Sequence, residues 1–296
     1  MYKFCLTIIT SLLIYITCLV EGGEIDQMTL EEKIGQLFIT YFNGDYANEH
    51  AERLIKETKI GGIIYYNLTN GLKDPSKILK MSNDLQELAK RYIGIPLFIS
   101  TDQEGGLVTR LLEGFTEFPG NAALSRTNQP ELAYKSCYYM GKELRVVGVN
   151  FNLAPVVDVN NNPLNPIIGI RAFSNNKYDV AAFGKKSIKG FKDGGVISCL
   201  KHFPGHGDVS VDSHKALPIV YKNYNEIEDL ELYPFIQLIK EAPAIMTAHI
   251  LFPQLDSKNC ATLSSFILEK ILREKLNFNG VLLTDSLTMQ GVLKEH

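Results

Sequence analysis

Seven short apolar runs separated by amphipathic stretches constrain this chain more than any other feature. In order they read GQLFITYF, IGGIIYYN, IPLFISTD, VNFNLAPVVDV, GVISCLKHF, PAIMTAHI and NGVLLTDS. They are rich in β-branched or aromatic residues and apolar on both faces, as parallel strands are when helices cover each side of the sheet. The stretches between them have helical spacing and recognisable ends. Pro75 opens one that carries Ile78, Leu79, Leu85 and Leu88 near helical intervals, and Pro130 opens another that Gly148 stops. Thr29 and Glu32 have capping-box spacing. Ser264 or Ser265 can cap a segment whose Ile267, Leu268, Ile271 and Leu272 form one stripe.

Repeated strand–helix units make either a doubly wound sheet or a (β/α)8 barrel. A nucleotide-binding sheet would show GxGxxG or a P-loop after an early strand, and neither is present. Instead, polar residues stand at the C-terminal ends of many runs: Asp102, Asp158, His202, His249 and Asp285. Several strands feeding one mouth is how a barrel builds a site, so the expected fold class is α/β, a (β/α)8 TIM-type barrel. Seven runs are one short of eight. Either the last strand–helix unit is lacking or the first element is misplaced.

The first 23 residues stand apart. Lys3 precedes an almost unbroken apolar run from Phe4 to Val20, followed by Glu21-Gly22-Gly23. Residues 1–23 therefore read as a signal peptide or membrane anchor, with export expected, and residues 24–296 as one barrel domain. Apolar content of 45% and charged content of 21% suit a globular core. A net charge of -3 offers no basic surplus for nucleic acid. Beyond the leader, Cys137, Cys199 and Cys260 have no CxxC spacing, which indicates buried apolar residues rather than a disulfide framework or zinc knuckle.

Three of the six histidines, His202, His206 and His214, crowd into KHFPGHGDVSVDSHKALP. Asp212 lies two residues before His214, close enough for both to face one cleft. A carboxylate beside imidazole fixes its tautomer and favours its charged form, which suits proton transfer near neutral pH. HxxxH spacing between His202 and His206 would suit zinc on a helix, but Pro204, Gly205 and Gly207 oppose a helix there. His206 reads as a loop-shaping residue. The small residues around it permit a loop that closes over a ligand. His249 either lines the pocket or packs within a strand. Asp285 follows the apolar run Val281 to Leu283, so its carboxylate is expected at the barrel mouth.

TDQEGGLVTR, GIRAF, KHFPGHGDVSVDSH and GVLLTDSLTM resemble, in order, the motifs of glycoside hydrolase family 3. The KHFPGHG…DSH combination is similar to the β-N-acetylglucosaminidase branch. The resemblance spans about residue 29 to the end. It implies a cofactor-free retaining exo-enzyme, without metal, acting on N-acetylglucosamine in small glycans or peptidoglycan fragments, with no obligate protein partner. It implies Asp285 as nucleophile, His214 as general acid/base and Asp212 as its partner. Asp102, Arg110, Arg171, Lys201 and His202 would bind sugar hydroxyls. Leu107, Ile170 and Ser286 depart from the family pattern, where an arginine, an acidic residue and a second aspartate are common. Three alternatives stay open at this stage: a phosphorylase, because a neutral or cationic acid/base repels phosphate less than a carboxylate does, another family 3 β-glycosidase, and a sugar-binding protein without turnover.

Overall fold

A computed structural model describes residues 23–293. The leader expected over 1–23 lies outside them, except for Gly23, the first residue of a short helix Gly23–Gln27. Seven parallel strands run in sequential order: β1 Ile39–Thr40, β2 Gly62–Tyr65, β3 Phe98–Thr101, β4 Phe151–Asn152, β5 Ile197–Phe203, β6 Ala244–Thr247 and β7 Val281–Thr284. The seven runs of the sequence are these seven strands. Together with their helices they make, among the described residues, a (β/α) barrel without its last strand–helix unit, so the placement of the first element is right.

Alternation along the strands builds two environments. Ile64, Phe98, Phe151, Cys199, Ala244, Met246 and Leu283 meet inside the curled sheet. Their neighbours of opposite parity point outward under the helices: Ile63, Tyr65 and Ile99 in one cluster, Leu200, Ile245 and Leu282 in the other. The inward parity, carried past the strand ends, delivers Asp102 from β3 and Asp285 from β7 to the mouth. The site is thus a continuation of the core's own period.

β4 is shorter than its apolar run. Pro155 has no N–H, so regular pairing stops after Asn152. The chain nevertheless stays alongside β5, with Cys199 N–H donating to the Ala154 carbonyl at 2.9 Å and Val157 N–H to the Lys201 carbonyl at 2.8 Å. This irregular extension carries Asp158 to the mouth.

The helix ends follow their sequence signals. Thr29 and Glu32 form the capping box of helix Leu30–Gly35. Asp74 caps helix Pro75–Tyr92, and Gly148, at φ +83°, ends helix Pro130–Val146 in a conformation that side-chain-bearing residues avoid. On helix Pro75–Tyr92 the inward face is Ile78, Met81, Leu85 and Ala89; Leu79 is 37% exposed and lies off it. Of the two candidate serines, Ser264 supplies the hydroxyl, accepting from Ile267 N–H at 3.2 Å. The segment it serves, Phe266–Lys275, winds as a π-helix and still buries Ile267, Ile271 and Leu272. Cys137, Cys199 and Cys260 are free and buried, as their spacing suggested.

Candidate active site

A cleft of about 700 Å3 opens at the C-terminal ends of the strands. Seven of the eight expected site residues line it: Asp102, Arg110, Arg171, Lys201, His202, His214 and Asp285. The eighth, Asp212, stands behind His214 and accepts from its ring Nδ1 at 2.8 Å and its backbone N–H at 2.9 Å.

Charge at the floor is arranged around Lys201. Its Nζ lies 2.9 Å from Asp102 Oδ1 and 2.8 Å from Glu104 Oε1. Arg171 grips Glu104 with two parallel bonds, Nε to Oε2 at 3.0 Å and Nη2 to Oε1 at 2.8 Å. Arg110 Nη2 reaches Asp102 Oδ2 at 3.4 Å, and its guanidinium lies over the Tyr66 ring, 5.7 Å from the centroid. Burial pushes the Glu104 carboxyl up, but Lys201 and Arg171 outweigh it and hold the group down at about 2. Burial, together with the Asp102 and Asp285 charges, raises the Tyr66 phenol to about 12, so Tyr66 stays a neutral donor.

Glu104 is the residue the sequence reading passed over. Its signal was present: Glu104 follows Asp102 by two, and Ser100 and Phe98 precede it at the same interval on β3. The intervening Gln103 points elsewhere. Its amide oxygen accepts from Arg110 N–H at 2.9 Å and Leu111 N–H at 3.0 Å, and its backbone N–H donates to Asn152 at 2.9 Å. Gln103 therefore folds the loop back and brings Arg110 over the cleft.

Asp158 organises the histidine loop. One oxygen accepts from the backbone N–H of His202 at 3.0 Å and of His206 at 2.7 Å; the other lies 2.7 Å from His202 Nδ1. Burial raises the Asp158 carboxyl, yet His202 and His206 bring it below the usual carboxylate range. With Nδ1 engaged, His202 presents its remaining ring edge to the cleft. The rings of His202 and His206 meet edge-on, 5.5 Å between centroids. Gly207 is required by close packing, because a Cβ there would sit 1.6 Å from the Val159 carbonyl oxygen.

Asp285 follows β7, and its Oδ1 accepts from Ser286 N–H at 2.7 Å. Burial pushes its carboxyl up, but His202, the Ser286 amide, Lys201 and His249 together hold it below the ordinary range, so it is ionised. His249 resolves as a brace rather than a cleft residue. Nδ1 lies 2.7 Å from Thr262 Oγ1, and Nε2 lies 3.0 Å from the Ser286 carbonyl, which can only accept. His249 thus fixes the turn that carries Asp285. Of the departures from the family pattern, Ser286 serves this turn, while Leu107 and Ile170 lie exposed near the cleft rim.

Residues 29–296 match the model of the glycosyl hydrolase family 3 N terminal domain. The chain belongs to glycosyl hydrolase family 3. Beta-hexosaminidase A of Pseudoalteromonas piscicida is 41% identical over 257 residues, which is 81% of this chain and 43% of that protein. The structure of a glycoside hydrolase family 3 beta-N-acetylglucosaminidase from Paenibacillus sp. str. FPU-7 superposes with a TM-score of 0.88 and 46% identity, covering 90% of this chain and 51% of the other. NagZ from Neisseria gonorrhoeae, solved in complex with N-trifluoroacetyl-D-glucosamine, gives a TM-score of 0.79 at 31% identity over 85% of this chain and 74% of that one. The chain thus spans about half the length of the first two family 3 relatives.

Proposed function

We propose that this family 3 domain catalyses retaining, exo-acting hydrolysis of terminal β-N-acetylglucosamine from small glycans or peptidoglycan fragments. The observation that carries the reading is the state of the cleft carboxylates. Three line the cleft: Asp102, Glu104 and Asp285. Asp102 is bound to Lys201 and Arg110, and Glu104 to Lys201 and Arg171. Among the described residues Asp285 alone of the three has no ion pair, being held by one backbone amide. A half-buried, ionised carboxylate outside any ion pair is the group best able to attack an anomeric carbon.

His214 supplies the proton. Asp212 engages Nδ1, which leaves Nε2 to protonate the glycosidic oxygen as the bond to the leaving group breaks. In the second half the same nitrogen takes a proton from water, which attacks the glycosyl–Asp285 ester. Asp102, Arg110, Arg171, Lys201 and His202 form the hydroxyl-binding wall. Ion pairs within the Asp102–Lys201–Arg110 group and from Arg171 to Glu104, with the contact of His202 to Asp158, fix them before substrate arrives, so little reorganisation is needed. The sugar class is supported by the relatives named above as beta-hexosaminidase and beta-N-acetylglucosaminidase. Export, from the apolar leader, is part of the proposal, as are the absence of a cofactor and of an obligate protein partner.

The test is turnover of aryl N-acetyl-β-glucosaminide against aryl β-glucoside by the purified chain, with and without phosphate. The expected result is a strong preference for the first, insensitive to phosphate. A preference for the glucoside contradicts the sugar class, and N-acetylglucosamine 1-phosphate as product would make the enzyme a phosphorylase.

A further inference from the structure

The mechanism above gives His206 no part, although its ring is buried beneath the loop that carries His214. Its Nε2 lies 3.1 Å from Ser213 Oγ, and its backbone N–H donates to Asp158 at 2.7 Å. Its Nδ1 is buried without a hydrogen-bond partner among the described residues. Burial, with the neighbouring His202, pushes the ring down to about 4, so it is neutral at physiological pH. A neutral imidazole has one N–H. Placing it on Nε2 gives Ser213 a donor and orphans no proton in the interior.

Ser213 sits between Asp212 and His214 but behaves differently from its neighbour. Ser213 is buried, whereas the His214 side chain is 56% exposed. Ser213 is also held through its main chain, its carbonyl accepting from Gly291 N–H at 3.0 Å. Gly291 belongs to the short helix Gln290–Leu293 that follows the Asp285 turn. A Cβ at Gly291 would lie 2.8 Å from the Ser213 carbonyl oxygen, so this contact tolerates no added atom without movement. One end of the tie therefore rests on the Asp158 hub, which also orients His202. The other rests on the segment that leaves Asp285.

We infer that Ser213 and His206 are positioning residues that clamp the acid/base loop and set His214 relative to Asp285. The inference rests on the proposed roles of those two residues. Exposed His214 has few contacts of its own to define its place; the buried residue beside it supplies that definition from both sides of the cleft. Losing the clamp displaces the proton donor and leaves the nucleophile where it is.

Ser213→Ala in the full chain removes the hydroxyl. With N-acetylglucosaminides of poor leaving group, kcat/KM is expected to fall roughly ten- to a hundredfold, the scale of a small misplacement of a catalytic group. The ceiling is the whole contribution of a general acid, on the order of 10²–10⁴. With dinitrophenyl N-acetylglucosaminide, whose departure needs little protonation, kcat/KM should hold within about twofold, while kcat falls because His214 is also the base of the second half. In a His214→Ala background the serine change should add nothing, as expected of groups acting through one another. Gly291→Ala, which presses on the clamp from the opposite side and leaves the hydroxyl in place, should give the same selective loss. Equal losses for good and poor leaving groups, or full additivity with His214→Ala, would overturn the clamp. A wild-type chain that turns over no N-acetylglucosaminide would instead overturn the functional reading beneath it.

Discussion

Removing the charge of Glu104 would leave Lys201 and Arg171 facing one another in a buried floor. Glu104→Gln is therefore expected to destabilise the fold by ~3–5 kcal/mol, the range for breaking one partner out of a buried ion pair. The pH dependence has a definite sign. The folded-state value of about 2 lies below the ordinary 4.5 of a free glutamate, so Glu104 contributes its stability fully above pH 4.5 and loses it as pH falls towards 2. The gap between wild type and variant in urea titrations should be widest near neutrality and narrow in acid; a gap independent of pH would contradict the assignment. Asp285 differs in degree, because it forms no ion pair and one backbone amide holds it. Asp285→Asn should abolish turnover at a much smaller cost in melting temperature than Glu104→Gln, and a 2-fluoro sugar should label Asp285 in the wild type. A label on Asp102 or Asp158 would move the nucleophile. At this scale the sequence displayed Asp285, Asp102 and the Asp212–His214 pair, because each stands at a run's end or in a local motif. It hid Glu104 and the hub role of Asp158, whose partners lie far away in sequence and become neighbours only when β3, β4 and β5 are side by side.

The histidine loop is an element without regular structure, and hydrogen bonds to a buried carboxylate replace the ladder that a strand would have. Asp158 ties its start, the Ser213 contacts tie its end, and His214 projects from it. His214→Ala is expected to lower kcat/KM for substrates with poor leaving groups by roughly 10²–10⁴-fold and to spare kcat/KM for activated aryl glycosides, as loss of a general acid should. Steady-state kinetics across a leaving-group series checks this; a uniform loss would make His214 a binding residue. Elements of regular structure were more legible. Short runs apolar on both faces marked all seven strands, as expected of parallel strands with helices on one side and the barrel interior on the other, and prolines and caps marked the helices. Where the sequence misled, tertiary contact had decided. Pro155 cut β4 short, and the inward face of helix Pro75–Tyr92 chose Met81 and Ala89 over Leu79.

At the scale of the molecule, β1 and β7 pair only on one side among the described residues, so the curled sheet has two edges. Apolar side chains are exposed along them, with Leu37 at 81%, Phe38 at 50% and Val281 at 42%. Unpaired strand edges beside apolar surface promote association. The 296-residue chain is expected to self-associate with rising concentration, as light scattering would report; a monodisperse monomer throughout would show that these edges are protected. The active-site mouth is not built from those edges alone, since β3, β4 and β5 supply its floor and histidine loop. Under the proposed function, catalysis depends on Asp285 keeping its place at β7 opposite that floor. The stereochemistry of the first-formed sugar tests this most directly. Proton NMR of wild-type turnover of an aryl N-acetyl-β-glucosaminide, followed before mutarotation, should show the β-anomer of N-acetylglucosamine appearing first, because two inversions through Asp285 restore the starting configuration. The α-anomer appearing first would mean that water attacks directly, and that Asp285 is not a covalent nucleophile.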